Sequence, residues 1–332
     1  MAVGFPITLT FFCELDGKAL KALFSDASVT DRLRALGARV SLGILDFSDE
    51  RAAVVCQLNS AGVPVIAWQL LSREQGYWYN LCNATQATER YEEFLAWTRQ
   101  RGLQWAGIGV DIEPDITEIQ QLLTHKSRLI RTVLKRGCGK KRFSEARAAY
   151  HALVERMRVD GYPVHSYEFP FMVDDQRVGS SLLRRIFGVT DVPSDQRVLM
   201  IYSSFFRPYG SAVVWNYARD ADSVGIGLTG GGVELDGIEH LAPLSWNEFT
   251  RDLRFAGRCC RDIHIFSLEG CVRRGFLERL QDLDWDCVAK CPQPWTAIVA
   301  LMRAGLRTAL WSMVHPYAVV GFLVCMLLLL VF

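Results

Sequence analysis

Short apolar runs recur along the chain, separated by longer stretches in which apolar residues return every third or fourth position. The runs are PITLTFFCEL (6–15), RVSLGILDF (39–47), VPVIAWQLL (63–71), WAGIGVDIEP (105–114), YPVHSYEFPFMV (162–173), RVLMIYSSF (197–205), SVGIGLTGG (223–231) and DIHIFSLEG (262–270). They are apolar nearly throughout rather than alternating, as strands buried on both faces are. Between them the spacing predicts helices over 17–36, 86–101, 116–136, 143–160, 177–187, 208–220, 246–260 and 272–282, with Leu20, Leu23, Leu33 and Leu36 among the apolar positions of the first. Another opens at Ser48, an N-cap followed by acids in SDERAAVVCQLNSAG.

Eight strands each followed by helix predict a (β/α)8 TIM barrel over residues 1–283. An open, doubly wound sheet is the competing arrangement. It would favour a glycine-rich phosphate turn after the first strand, and FFCELDGKAL has none. There is no internal repeat.

The tail changes the picture. Residues 308–332, TALWSMVHPYAVVGFLVCMLLLLVF, carry no charged side chain. As a helix they would cross a bilayer core of about 30 Å. They are expected to form a transmembrane tail anchor, with Pro316 kinking or opening it and Trp311 and Tyr317 at an interface. Residues 284–307 would then be a linker or juxtamembrane segment. Arg303 and Arg307, just before the span, would keep the barrel cytoplasmic by the positive-inside rule. A buried core helix is the competing reading, but 318–332 shows no amphipathic break. The N-terminus lacks a basic region and meets acids at Glu14 and Asp16, so no secretory signal is expected.

Composition narrows the partners. A net charge of +1 argues against a nucleic-acid binder. The 10 cysteines include no CxxC pair; Cys259 and Cys260 are adjacent, and Cys287 and Cys291 lack matching zinc partners. Buried, reduced thiols in a reducing compartment are expected.

In such a barrel the chemistry lies at the carboxyl ends of the strands. Those ends offer Glu14, Asp46, Gln69, Asp111, Glu113, Tyr167, Glu168, Tyr202, Thr229, Glu234, Ser267 and Glu269. Histidine is scarce. His165 and His240 with Asp174 or Asp175 could bind a metal, but core or surface histidines are the plainer reading, and neither metal nor cofactor is expected. In GIGVDIEPD (107–115), Asp111 and Glu113 are two apart on a strand and face the same way, into the barrel mouth. Two close carboxylates repel, so one holds a proton near neutral pH. A protonated acid beside an ionised one is what glycosidic cleavage needs. The competing reading is a structural ion pair at Asp111 and a helix cap at Glu113.

AGIGVDIE (106–113) resembles the DGxDxDxE stretch of glycoside hydrolase family 18, the chitinases and their relatives, matching at Gly107, Asp111 and Glu113. Ala106 and Gly109 replace that family's first two acids. MIYS (200–203) resembles its Met-x-Tyr-Asp stretch on strand six, keeping Met200 and Tyr202 with Ser203 in place of the acid. The resemblance implies Glu113 as general acid, Asp111 orienting an acetamido group that acts as internal nucleophile, and Tyr202 hydrogen-bonding the same group. With Gly109, the tuning of Asp111 has to come from elsewhere or be absent. A two-carboxylate mechanism is the alternative, with Glu168 or Glu269 as partner of Glu113.

Other features bear on the substrate. Tyr77, Trp78 and Tyr79 cluster with Asn80 and Asn83 after strand three, suiting pyranose faces and hydroxyls, or simply packing their loop. Trp68 reads as core. TGGG (229–232) could cradle a phosphate or form a tight turn. KRGCGKKR (135–142) is a solvated loop or a contact for anionic headgroups. The chain therefore reads as a membrane-anchored glycosidase-like enzyme acting on an oligo- or polysaccharide, lipid-linked in one version. The other readings are a non-catalytic carbohydrate-binding barrel and a phosphosugar-acting enzyme.

Overall fold

The computed structural model describes residues 7–116, 139–231, 242–287 and 289–331. Glu234, His240, Gly232, residues 135–138 of the basic stretch and nearly all of the helix expected over 116–136 lie outside them. Eight parallel strands form a closed barrel in chain order. They are β1 Thr8–Cys13, β2 Arg39–Ile44, β3 Val65–Gln69, β4 Gly107–Ile112, β5 Val164–Glu168, β6 Gln196–Met200, β7 Ser223–Gly227 and β8 Asp262–Phe266. Closure is made by β1 against β8, in register from Thr8 with Asp262 to Phe12 with Phe266. The TIM barrel predicted by the sequence is the fold.

Alternation along each strand sorts side chains between two cores. Phe12, Trp68, Tyr167, Val198 and Met200 share the inner core. Phe12 meets Tyr167 and Trp68 edge to face, with ring centroids 4.7 and 5.1 Å apart. Their neighbours Phe11, Cys13, Ala67, Ile108, Val110 and Leu199 join the larger core beneath the helices.

Among the described residues the helices are α1 Gly17–Ser25, α2 Ala27–Ala35, α3 Asp49–Ser60, α4 Ala84–Arg101, α5 Lys140–Val159, α6 Met172–Arg177, α7 Leu182–Phe187, α8 Gly210–Tyr217, α9 Trp246–Gly257, α10 Leu268–Arg273, α11 Phe276–Arg279, α12 Trp295–Val314 and α13 Pro316–Val331. The single helix expected over 17–36 is two, because Asp26 ends α1 in extended conformation and its carboxylate accepts from Ser28 N to open α2. Ser48 caps α3 as the sequence suggested, accepting from Arg51 N.

In the tail, residues 295–307 of the expected linker belong to α12, and the helix breaks at His315–Pro316, where Pro316 was expected to kink or open the span. Among the described residues one helix, α12, is long and apolar enough to cross a membrane. It is nevertheless docked on the barrel at its middle. Arg303 donates to Asp174 at 2.9 Å, to Asp220 at 2.6 Å and to the carbonyl of Asn216 at 2.7 Å, and its guanidinium lies 3.8 Å from the Tyr217 ring centre. Arg307 reaches Asp174 at 3.3 Å. A guanidinium taken out of water needs carboxylate partners, and the barrel supplies them. Neither arginine is thus the free juxtamembrane charge on which the cytoplasmic orientation rested. Beyond Pro316, Tyr317, Val320, Phe322 and Met326 are exposed.

Among the described residues no cysteine is in a disulfide, but only Cys13, Cys260 and Cys271 are buried; Cys56, Cys82, Cys259 and Cys287 are exposed. The histidine–aspartate metal set is not assembled among the described residues. His165 faces His264 inside the barrel, Asp174 is held by Arg303, and Asp175 accepts from Leu183 N and Arg184 N at the start of α7.

Candidate active site

At the carboxyl end of the barrel lies a cleft of about 160 Å³. Phe12, Trp68, Met200, Tyr202 and Phe266 line it together with Trp78, Phe169, Phe205, Leu228 and Gly231. Three acids open into it: Glu14 after β1, Asp111 at the end of β4, and Glu113 just beyond. The shared direction expected for Asp111 and Glu113 is therefore present. Asp111 is buried at 2% exposure, while Glu113 is partly open at the mouth.

The two carboxyl groups lie close enough for each to influence the titration of the other. Burial, then the charges of Glu113 and Glu14, raise the pKa of Asp111 well above the usual carboxylate range. Burial likewise pushes Glu113 up, to about 7, against the opposing hydrogen bond from Asp111. Both shifts favour the protonated form toward neutral pH, and the loss of protons belongs to the pair. Trp68 Nε1 donates to Asp111 Oδ2 at 3.2 Å and favours the ionised form of that residue. Tyr202 is close enough for Asp111 and Glu113 to raise its pKa, after burial, which is the main cause. Its hydroxyl stays protonated and can donate.

Gly109 explains how the barrel does without an acid at that position. A Cβ there would lie 2.7 Å from Cε2 and Cζ of Tyr167 and closer still to its hydroxyl. Tyr167 fills the space inside the barrel and hydrogen-bonds Ser41 Oγ at 2.7 Å. Polar support for Asp111 comes instead from the indole of Trp68, which the sequence reading assigned to the core. Ala106 is exposed ahead of β4 and takes no part. Gly109→Ala should destabilise the fold by about 1–3 kcal/mol, the usual cost of overpacking, and a Gly109→Ala/Tyr167→Leu double variant should recover part of it. Equal denaturation midpoints for wild type and Gly109→Ala would remove this account.

The remaining expected site residues divide. Glu14 lines the cleft and accepts from the Tyr77 hydroxyl at 2.5 Å, so Tyr77 braces a cleft acid. Trp78 presents its ring to the cleft. Asn80 and Asn83 do not reach it: Asn80 Nδ2 donates to the carbonyl of Trp78 at 3.1 Å, and Asn83 Nδ2 to those of Gln75 and Trp78, both at 2.8 Å. Tyr150 donates to the Asn80 carbonyl at 2.9 Å and to Asn83 Oδ1 at 2.8 Å. Buried amides are taken up by nearby backbone groups, so these two shape the loop that carries Trp78.

Asp46 pairs with fully buried Arg51 at 2.9 Å. Burial would raise its pKa, but hydrogen bonds from Arg51 and Ser48 outweigh that and hold it at about 2. It braces the start of α3. Tyr167 and Glu168 are adjacent on β5 and cannot both face inward. Tyr167 does; Glu168 turns to the outer face, accepts from Ser166 Oγ at 2.9 Å and opens toward Arg184, away from the cleft. Glu269, in the first turn of α10, lies beneath Gly231, whose Cβ would come within 2.6 Å of Oε1. The close approach that Gly231 permits is thus to a carboxylate of the chain itself, which opposes a phosphate there. Thr229 and Ser267 lace the same loop together through Thr229 Oγ1, at 2.8 and 2.9 Å.

Phe12, Trp68, Phe169, Met200, Phe205 and Phe266 were not foreseen as cleft walls. Strand parity counted back from Asp111 through the β3–β4 register, where Trp68 pairs with Gly109, points Trp68 inward.

No family model matches the chain, and no curated protein matches it. Among solved structures, the PgaB (BpsB) glycoside hydrolase domain from Bordetella bronchiseptica is similar over 84% of this chain and 98% of that one, at 11% identity and a TM-score of 0.48. Dihydropteroate synthase from Thermus thermophilus, in complex with 4-aminobenzoate, is similar over 84% of this chain and 94% of that one, at 14% identity and a TM-score of 0.33.

Proposed function

We propose that this chain is a membrane-associated glycoside hydrolase with Glu113 as general acid. One observation carries the reading: Asp111 and Glu113 open side by side into one aromatic-lined cleft at the carboxyl end of the barrel, where burial raises the pKa of both. Glu113, nearer the opening, gives its proton to the leaving glycosidic oxygen. Asp111, held from below by Trp68, stays to stabilise positive charge at the sugar or to orient an acetamido group against it, with Tyr202 donating to the same group. This follows the roles that the resemblance to family 18 implies. Aromatic walls suit pyranose faces, and Phe205, 47% exposed, is the lining ring at the rim.

A second version of the chemistry rests on Glu14. It is the other carboxylate in the cleft, fixed by Tyr77, and it takes the place assigned from the sequence to Glu168 or Glu269. In that version Glu14 is nucleophile or base and no acetamido group is needed.

The test is to incubate the full chain, solubilised in detergent, with N-acetylated and non-acetylated oligosaccharides and follow products by mass. Cleavage confined to N-acetylated sugars supports acetamido assistance; cleavage of both supports Glu14. Saturable glycan binding with no cleavage would replace the enzyme by a carbohydrate-binding barrel.

The pair also fixes a pH response. Activity needs one proton on the pair, so the rate rises as the first proton leaves and falls as the second does. The Trp68 N–H favours ionised Asp111, so removing it raises the first of these pKa values. Trp68→Phe should move the acid limb of the kcat/KM profile up by about one pH unit, since a hydrogen bond to a charged group is worth that much or more. An unmoved acid limb would detach Trp68 from the chemistry.

A further inference from the structure

Beside the cleft runs a larger apolar groove of about 610 Å³, walled by Phe171, Phe206, Val213, Ile298, Met302 and Leu306. It shares two walls with the cleft. Phe169 lines the cleft and Pro170 and Phe171 the groove; Phe205 lines the cleft and Phe206 and Arg207 the groove. Both segments follow strand ends, β5 and β6, so the two openings lie on one face of the barrel. The outer wall of the groove is α12, and α12 leads through His315 into the apolar helix α13.

The groove's charged groups are already engaged. Arg207 donates to Glu248 at 3.1 Å and to the carbonyl of Ala242 at 2.7 Å. Arg303 is bound by Asp174 and Asp220. Among the described residues that line the groove, no cation is left over for an anionic headgroup, and the wall offered to a ligand is hydrocarbon and aromatic. Leu301 and Met302, on the outer turn of α12, are 74% and 68% exposed, so the groove continues into a surface that water does not favour.

We infer that the groove holds the hydrocarbon chain of a lipid-linked saccharide while its sugar enters the cleft past Phe169 and Phe205. The inference rests on the hydrolase reading and names its substrate class. It also answers how a membrane-associated barrel meets its sugar: a hydrocarbon chain seated against α12, the helix long and apolar enough to cross a membrane, presents its sugar at the cleft. Ile298 and Met302 then select for the chain, and Phe171 and Phe206 set where it turns into the site.

The test uses the full chain in phospholipid nanodiscs with two substrates, a lipid-linked glycan bearing a photoreactive group in its hydrocarbon chain and the same glycan freed of lipid. Crosslinks should map to α8, α12 and the Phe206 segment. Ile298→Trp fills the groove and Met302→Asp charges its wall; two variants guard against a folding defect in one. Each should lower the ratio of kcat/KM for lipid-linked over free glycan by about tenfold for every two methylene groups displaced. Crosslinks confined to α13, or a ratio unchanged in both variants, would overturn the groove while leaving hydrolysis of the free glycan intact. Groove crosslinks in a protein that cuts neither substrate would overturn the hydrolase reading, and with it the groove's role as a substrate site.

Discussion

Glu113→Gln should lower kcat toward unactivated glycans by about 10²–10⁴-fold, the range general acid catalysis supplies. Glutamine matches the volume and keeps a polar group beside Asp111, but it has no proton to give. The fold should not suffer. Burial is the main reason the pKa of Asp111 is high, and the charge of Glu113 is the next, ahead of that of Glu14, so the variant relieves one of the strains on the buried carboxyl. The leaving group then separates a proton donor from a binding residue. A glycoside whose leaving group is a stable anion without protonation needs no acid, and its cleavage should be nearly preserved. The measurement is kcat for a poor and a good leaving group on the same sugar, in wild type and Glu113→Gln. Equal loss on both would make Glu113 a binding or structural group; no loss on either would move the acid to Glu14.

The fold was legible because a closed parallel barrel repeats one demand: each strand is buried on both faces, and each is followed by a helix with one apolar stripe. That demand writes the eight apolar runs directly into the chain. The site was legible where local spacing carries geometry, as for Asp111 and Glu113. It was less legible where the answer depends on which of two adjacent residues turns inward. Tyr167 and Glu168 both looked available; only the packing of Tyr167 against Phe12 and over Gly109 decides between them. Trp68 looked like core because indoles usually are, and it is core, but its N–H points up at Asp111. Asn80 and Asn83 looked like sugar ligands because composition cannot show that a loop's own carbonyls consume their amides. The docking of the helix ahead of the apolar tail was hidden for a related reason. Hydropathy cannot show that Arg303, just before residues 308–332, has two carboxylates waiting on the barrel.

That arginine supports the second large prediction. Arg303→Ala should cost about 3–5 kcal/mol, because breaking a buried ion pair leaves the partner charge uncompensated. Asp174 is fully buried; without Arg303 it keeps only the Tyr217 hydroxyl at 2.8 Å and the more exposed Arg307 at 3.3 Å. Asp220 would keep Arg177 at 2.8 Å and suffers less. The stacking of the guanidinium on Tyr217 goes as well. The loss should appear as a lower unfolding midpoint of the detergent-solubilised full chain and as faster proteolysis between α11 and α12. Arg303→Ala with Asp174→Asn should recover part of it, since the stranded charge is gone. The same pair of variants decides what α12 is. Docked on the barrel, it must respond to both substitutions in this coupled way. If α12 instead crosses a bilayer on its own, Arg303 has no carboxylate partner there, and Arg303→Ala would leave the midpoint of the barrel where it was or raise membrane retention without any rescue by Asp174→Asn.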